Sequence, residues 1–287
     1  MVILRTVTPE GKEGRLIEFL GQYRDVIVAF SGGVDSSYLA FMAHRVLGSS
    51  ARSVTAISPS VSKLQRELAL GFASTYEINH QVISTQEMEN PDYASNPANR
   101  CYFCKSELYV HLERLAREWE VEAIFDGSNQ DDVGDYRPGR KASQEFSVIS
   151  PFIEVGLTKD EIRRQSKKWG LPSWDQPAMP CLSSRFPYGV AITEQSLRQV
   201  DDAEAFLRGL GLRNFRVRHH DNLARIEVDI SEQEKILDRE CFASINQRLR
   251  DLGYQFVTLD LQGFRSGSLN VGVQLEIDAK PQISDTP

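Results

Sequence analysis

Three absences narrow the reading of this 287-residue chain before any motif is considered. It has no run approaching the roughly 20 apolar residues that a membrane-crossing helix needs, so no membrane partner is expected. It has no basic excess: 33 Lys and Arg stand against 40 Asp and Glu, a net charge of −7. A protein that binds a nucleic-acid backbone over a large footprint shows the opposite balance or a strongly basic face, so no stable nucleic-acid partner is expected either. It has only four cysteines, Cys101, Cys104, Cys181 and Cys241. The opening residues 1–14 are too short and too polar for the apolar part of a secretory signal. The cysteines therefore read as metal or redox groups rather than a disulfide framework, and the expected location is the cytoplasm.

What is present is a globular composition, 41% apolar and 25% charged, in a chain long enough for two domains. A leading helix is predicted over 9–22. Residues 25–30 (DVIVAF) form an unbroken apolar run of the buried-strand kind, followed by a helix over 36–47. Strands at 53–57, 77–83 and 123–125 alternate with helices at 61–74 and 102–119, and a short strand follows near 148–149. Strands alternating with helices predict an α/β fold with a parallel sheet covered on both faces. Ligands of such sheets bind outside the carboxyl ends of the strands, where the breaks after Phe30 and Phe125 fall. A helix over 158–169 has Thr158 as N-cap and Glu161 three residues later.

The proline-rich passage 171–187 marks a domain boundary. The expected domains are 1–175, 176–276 and a frayed tail at 277–287. The second reads as a smaller α+β unit: helix 194–210, strands 215–219 and 224–228, helix 231–252, strand 255–260.

The first chemical signal is Ser31-Gly32-Gly33-Val34-Asp35-Ser36-Ser37. Two glycines let backbone approach an anion closely, and the loop opens a helix whose first N–H groups and dipole favour negative charge. Ser31, Ser36 and Ser37 add hydroxyl donors. Asp35 would repel phosphate, so its natural task is to hold Mg²⁺ bridging phosphates. No lysine follows the glycines, which excludes a Walker A loop. The pattern resembles the PP-loop of ATP pyrophosphatases, which implies ATP cleaved between the α and β phosphates. Ser58, just past the second predicted strand, and Asp126-Gly127, just past the fourth, join the nucleotide-binding set. For Asp126 and Ser128 a plain Asx turn is the alternative.

The second signal is Cys101-Tyr102-Phe103-Cys104 at the start of a helix, with Cys181 far downstream. Thiolates so spaced can share a metal or cluster, and Arg100 and Lys105 would stabilise them. A [4Fe–4S] cluster, a zinc ion and no metal at all remain open on the residues alone. Cys241 reads as a buried core thiol beside Phe242 and Ile245.

Arg100-Cys101-Tyr102-Phe103-Cys104-Lys105, the PP-loop, Asp126-Gly127-Ser128-Asn129 and Pro180-Cys181-Leu182-Ser183-Ser184-Arg185 together resemble the LarE family of ATP-dependent sulfur transferases, over about residues 9–272. The resemblance implies adenylation of a carboxylate of pyridinium-3,5-biscarboxylic acid mononucleotide, followed by sulfur insertion on the way to a nickel-pincer cofactor. It implies ATP and Mg²⁺ as cofactors and a [4Fe–4S] cluster on Cys101, Cys104 and Cys181, with Cys181 and Asp35 as the catalytic pair. It further implies a homo-oligomer, trimer or hexamer, and leaves the sulfide donor unnamed. Arg216 and Arg218 share one strand face; with Arg185, Glu204 and Arg265 they are the expected substrate ligands, the arginines taking the phosphate. A solvated basic strand face is the alternative. His219 and His220 read as ordinary surface or cleft residues. Competing readings are a PP-loop tRNA thiolation enzyme, an amide-forming ligase, and a non-catalytic iron–sulfur or nucleotide-binding protein.

Overall fold

Strand β1 (Val26–Ala29) is apolar at every position because both of its faces are covered. Val26 and Val28 point into one core with Leu16, Leu20, Tyr38 and Leu39. Ile27 points the other way, into a second core with Val54, Tyr109, Leu112 and Leu115. In the computed structural model, residues 11–134 and 138–265 are described. Within them one unit runs to residue 93 and resumes over 99–181, while the other comprises 94–98 and the residues from 182 onward.

In the first unit, helices α1 (Lys12–Leu20), α2 (Val34–Leu47), α3 (Lys63–Thr75), α4 (Pro91–Ala94), α5 (Arg100–Glu118), α6 (Pro138–Glu145), α7 (Pro151–Glu154) and α8 (Lys159–Lys168) accompany four strands, of which β2 (Ala51–Ile57), β3 (His80–Ser84) and β4 (Ala123–Phe125) join β1. The sheet order is β3-β2-β1-β4, and every pairing is parallel, as the strand–helix alternation predicts. The order reverses direction between β2 and β4, so the carboxyl end of β1 is the switch point of the sheet. Helix α5 buries Tyr109, Leu112 and Leu115, spaced three apart on one stripe. Truncating Leu112, which is fully buried, would cost about 2–5 kcal/mol. Helix α8 begins with the predicted capping box of Thr158 and Glu161.

The second unit holds α9 (Glu194–Gly209), β5 (Phe215–His220), β6 (Leu223–Val228), α10 (Arg239–Asp251) and β7 (Phe256–Leu259). β5 pairs antiparallel with β6, and β6 parallel with β7. Its core is built around Leu207, Phe215, Val217, Ile226, Val228 and Leu249.

Several expectations change. The strand near 148–149 is a single bridge from Ile149 to Phe125. The third strand starts at His80 rather than 77, because Glu77 takes a positive φ of 52° that ends the preceding helix. The helix expected over 231–252 is interrupted: a 3₁₀ turn spans Ile230–Lys235, and Asp238 then caps a new helix through the Cys241 N–H. Cys241 therefore sits in the first turn, partly buried and packed against the edge of the second unit's core, while Phe242 is exposed. Helices α6 and α7 lie in a stretch that shows no helical pattern. The predicted tail at 277–287 lies outside the described residues. No described helix is long and apolar enough to cross a membrane.

Candidate active site

The loop after β1 owes its shape to Gly32. Its φ is +75°, and a Cβ there would stand 2.9 Å from the backbone of Ala69 on α3, so only glycine fits. Gly33 is extended, φ −77° and ψ 168°, and leads into α2 as its N-cap. The hydroxyl of Ser36 ties the turn together, accepting from the Ser31 N–H at 3.2 Å, lying 3.0 Å from Ser31 Oγ and donating to Gly33 O. Ser37 is fully enclosed, and its Oγ has no hydrogen-bond partner among the described residues.

Opposite the first turn of α2 lies the segment after β4. A Cβ on Gly127 would come within 3.0 Å of the Ser36 nitrogen and 3.3 Å of Asp35, so the two loops meet backbone to backbone. Asp126 is 2% exposed and anchors this meeting. It accepts from the Ser128 N–H and hydroxyl, from Ser150 Oγ at 2.7 Å and from Tyr109 Oη at 3.2 Å. The Asx turn is thus real, and the carboxylate is a hub beneath the loop.

Asp35 is held by two residues that the sequence did not single out together. Lys159, at the start of α8, forms an ion pair with Asp35 Oδ2. Asn129 Nδ2 approaches Oδ1 at 3.4 Å. The Lys159 N–H is itself fixed by Asp131 at 2.9 Å. Lys159 carried no motif signal of its own, since its partner lies 124 positions away.

The thiols belong to the same unit. Cys101 is exposed; Cys104 and Cys181 are half-buried. Burial pushes the Cys104 thiol well above its ordinary value, and the charges of Glu87, Cys181 and Cys101 add to this, so these four groups lie within electrostatic reach of one another. Lys105 acts in the opposite direction. Its ammonium donates to Tyr109 Oη at 3.2 Å. Burial disfavours its charge, but Tyr109 and Asp126 hold its pKa above the ordinary lysine value. A Lys105–Tyr109–Asp126 relay therefore links the cysteine helix to the segment that abuts α2. Glu87, 2% exposed, was also missed. Its Oε1 accepts from Ser58 and from Ser60, and it connects the end of β2 to Cys104. Ser58 is buried in this triangle.

No group of three or more His, Cys, Asp or Glu side chains among the described residues is gathered closely enough to hold a metal ion. The three thiols share one region without forming a ligand cage. Their donor type, three thiols, is the one an iron–sulfur centre uses, and Lys105 offsets the charge of one of them, Cys104.

The second unit assembles the predicted arginines. Arg216 and Arg218 are 7% and 5% exposed, so the solvated-face alternative fails. Arg218 grips Glu227 through Nε and Nη2, at 2.9 and 2.7 Å, and donates to Ser184 O. Arg185 forms a two-pronged pair with Glu204, at 2.9 and 2.8 Å. Glu204 also accepts from the Val217 N–H. Burial works against its charge, but Arg185 and Arg216 hold the carboxyl below its ordinary value. Arg216 lies over the Phe264 ring at 4.9 Å; burial and the neighbouring Arg185 push its pKa down to about 10. Arg265 is exposed, near Asp260. His219 is buried against Phe186 and 3.1 Å from Tyr254 Oη, a core position. Sequence reasoning missed Arg208, which faces the same cluster from α9.

Comparison with known proteins places this geometry in context. A family model described as NAD synthase matches residues 18–96, the segment carrying β1, the glycine loop and α2. An uncharacterised protein of Synechocystis is 44% identical over 261 residues, covering 91% of this chain and 97% of that protein. Pyridinium-3,5-bisthiocarboxylic acid mononucleotide synthase of Lactiplantibacillus plantarum is 35% identical over 261 residues, covering 90% of this chain and 94% of that protein. An uncharacterised protein of Methanocaldococcus jannaschii is 28% identical over 243 residues, 85% of this chain and 92% of its own length.

Proposed function

The chain belongs to the family of the pyridinium-3,5-bisthiocarboxylic acid mononucleotide synthase, and on that premise we propose that it uses ATP to adenylate a carboxylate of pyridinium-3,5-biscarboxylic acid mononucleotide and then replaces the activated oxygen with sulfur. The observation that carries this reading is the occurrence, in one unit, of a glycine loop opening α2 and three thiols, one of which, Cys104, feels the charge of Lys105, the first member of the Lys105–Tyr109–Asp126 chain that reaches the segment abutting α2.

A carboxylate resists nucleophiles because it is negative and its oxygen is a poor leaving group. Its attack on the α phosphorus of ATP forms an acyl adenylate and expels pyrophosphate. A sulfur nucleophile then adds to the carbonyl carbon, and AMP departs with the former carboxylate oxygen, leaving a thiocarboxylate. The amides at Gly32, Gly33 and the first turn of α2 hold the phosphates. Asp35 is proposed to carry the Mg²⁺, whose charge stabilises departing pyrophosphate; Lys159, released from Asp35, then faces the phosphates. Arg216 and Arg218, with Arg185 bracing Glu204 beside them, are proposed to serve the substrate phosphate. Cys101, Cys104 and Cys181 would hold a [4Fe–4S] cluster, which when bound supplies a site for the transferable sulfide. As part of the same proposal the protein is a cytoplasmic homo-oligomer, trimer or hexamer.

The test is anaerobic reconstitution with iron and sulfide analysis, followed by pyrophosphate release in the presence and absence of the mononucleotide. About four iron atoms per chain and strictly substrate-dependent pyrophosphate are expected, and the Cys101→Ser/Cys104→Ser variant should lose thiocarboxylate formation. Fewer than three iron atoms per chain would remove the cluster. Intact thiocarboxylate formation in the double variant would remove the role of the pair.

A further inference from the structure

We propose that Arg208 is a further anion-binding residue of the second unit, engaging the phosphate of a phosphomonoester together with Arg216; this rests on the reading of that unit as the phosphate-holding part of the enzyme.

Positions 201, 204 and 208 of α9 are spaced three and four apart and so share one helix face. Asp201 and Glu204 on that face are buried, at 9% and 4% exposure, so Arg208 projects toward β5 and not toward bulk water. Its guanidinium lies over the Phe215 ring at 5.2 Å. That contact uses the flat face of the group and leaves its N–H edge for another partner. Among the described residues Arg208 has no hydrogen-bond acceptor and no ion pair, although it is half-buried.

Its neighbours make this costly. Arg185 and Arg216 lie within electrostatic reach, and burial together with Arg185 pushes the Arg208 pKa down in spite of Glu204 and Asp201. Five guanidiniums, Arg185, Arg208, Arg216, Arg218 and Arg225, stand against four carboxylates, Asp201, Glu204, Glu227 and Asp260. Three of the five, Arg185, Arg218 and Arg225, already grip carboxylates in close pairs. A surplus positive charge on a partly desolvated guanidinium is the pattern expected where a phosphate docks. Arg198, on the same helix, shows the alternative fate of an arginine: it is 65% exposed and paired with Glu194 one turn away.

The experiment is calorimetric titration of inorganic phosphate into the full chain, for wild type, Arg208→Gln, Arg208→Lys and the control Arg198→Gln, alongside steady-state kinetics with the mononucleotide. Arg208→Gln should weaken phosphate binding about tenfold or more and raise KM for the mononucleotide while kcat holds. Arg198→Gln should match wild type. Arg208→Lys keeps the charge but loses the planar fork, and should weaken binding severalfold; it carries the test if the Gln variant does not fold. Wild-type phosphate affinity in whichever Arg208 variant folds overturns the inference and leaves the enzymatic reading standing. A wild type that turns over the mononucleotide but binds no phosphate overturns the arginine site as a whole. Arg208-dependent phosphate binding by a protein without thiocarboxylate activity would uphold the inference while the enzymatic reading fell.

Discussion

Lys159 is ion-paired with Asp35, joining the first turn of α8 to the first turn of α2 across 124 residues of chain. The loop's acidic residue thus has a positive partner within the protein.

On the proposed reading the pair matters more for ATP use than for stability. Both side chains keep partial exposure, 37% and 24%, and such pairs contribute at most about 1 kcal/mol. Lys159→Ala should therefore leave the urea midpoint nearly unchanged while lowering kcat/KM for ATP by about 10- to 100-fold. An equal loss in midpoint and activity would point to a structural role alone.

Gly32 and Gly33 should respond in opposite ways to alanine. At Gly32 the left-handed backbone and the 2.9 Å approach to Ala69 predict a loss of about 2–4 kcal/mol. At Gly33 the backbone is extended and the nearest atom stands 3.6 Å away, so Gly33→Ala should cost less than about 1 kcal/mol. Equilibrium urea unfolding of the two variants measures the contrast.

The thiols should differ in reactivity. Cys101 is exposed, whereas burial and Glu87 raise the Cys104 pKa. A raised pKa keeps a thiol neutral to higher pH, and only the thiolate is nucleophilic. Iodoacetamide at pH 7.5 should therefore label Cys101 before Cys104, and the Cys104 rate should still be rising beyond the ordinary thiol value of about 8.5. Peptide mass mapping against time and pH reads this directly.

Glu161 supplies a pH-dependent contribution at the start of α8. The Lys12 ammonium and the Thr158 N–H hold its carboxyl down at about 2. The stabilisation is complete above the unfolded carboxylate value of about 4.3 and is lost as pH falls through the folded value. Glu161→Gln should thus lower Tm at pH 7, and its gap from wild type should shrink between pH 4 and pH 2. A gap independent of pH would assign the effect to packing.

Much of the first unit was legible because its signals are short-range. The DVIVAF run, the two glycines and the Thr158–Glu161 capping box each act within a few residues. The less legible parts lacked a local cue. Helix α6 is mostly polar and is held through Ala142 and Ser143, which it buries. Residues 231–252 contain no proline or glycine, yet the helix breaks because Asp238 offers the Cys241 N–H a better partner than a continuing turn. In the second unit, alternation put Arg216 and Arg218 on one face of β5 but said nothing of their burial. That came with Glu227, which reaches Arg218 from the adjacent strand.

The amino-acid order by itself determined the parallel sheet, the glycine loop at 31–37 and the identity of the thiols, since backbone freedom, strand periodicity and side-chain chemistry are local properties. Tertiary structure alone decided that Lys159 meets Asp35, that Glu87 stands beside Cys104 and that Arg208 turns toward the buried arginines. Charges choose partners by distance through space, and that distance exists only once the strands and helices have packed.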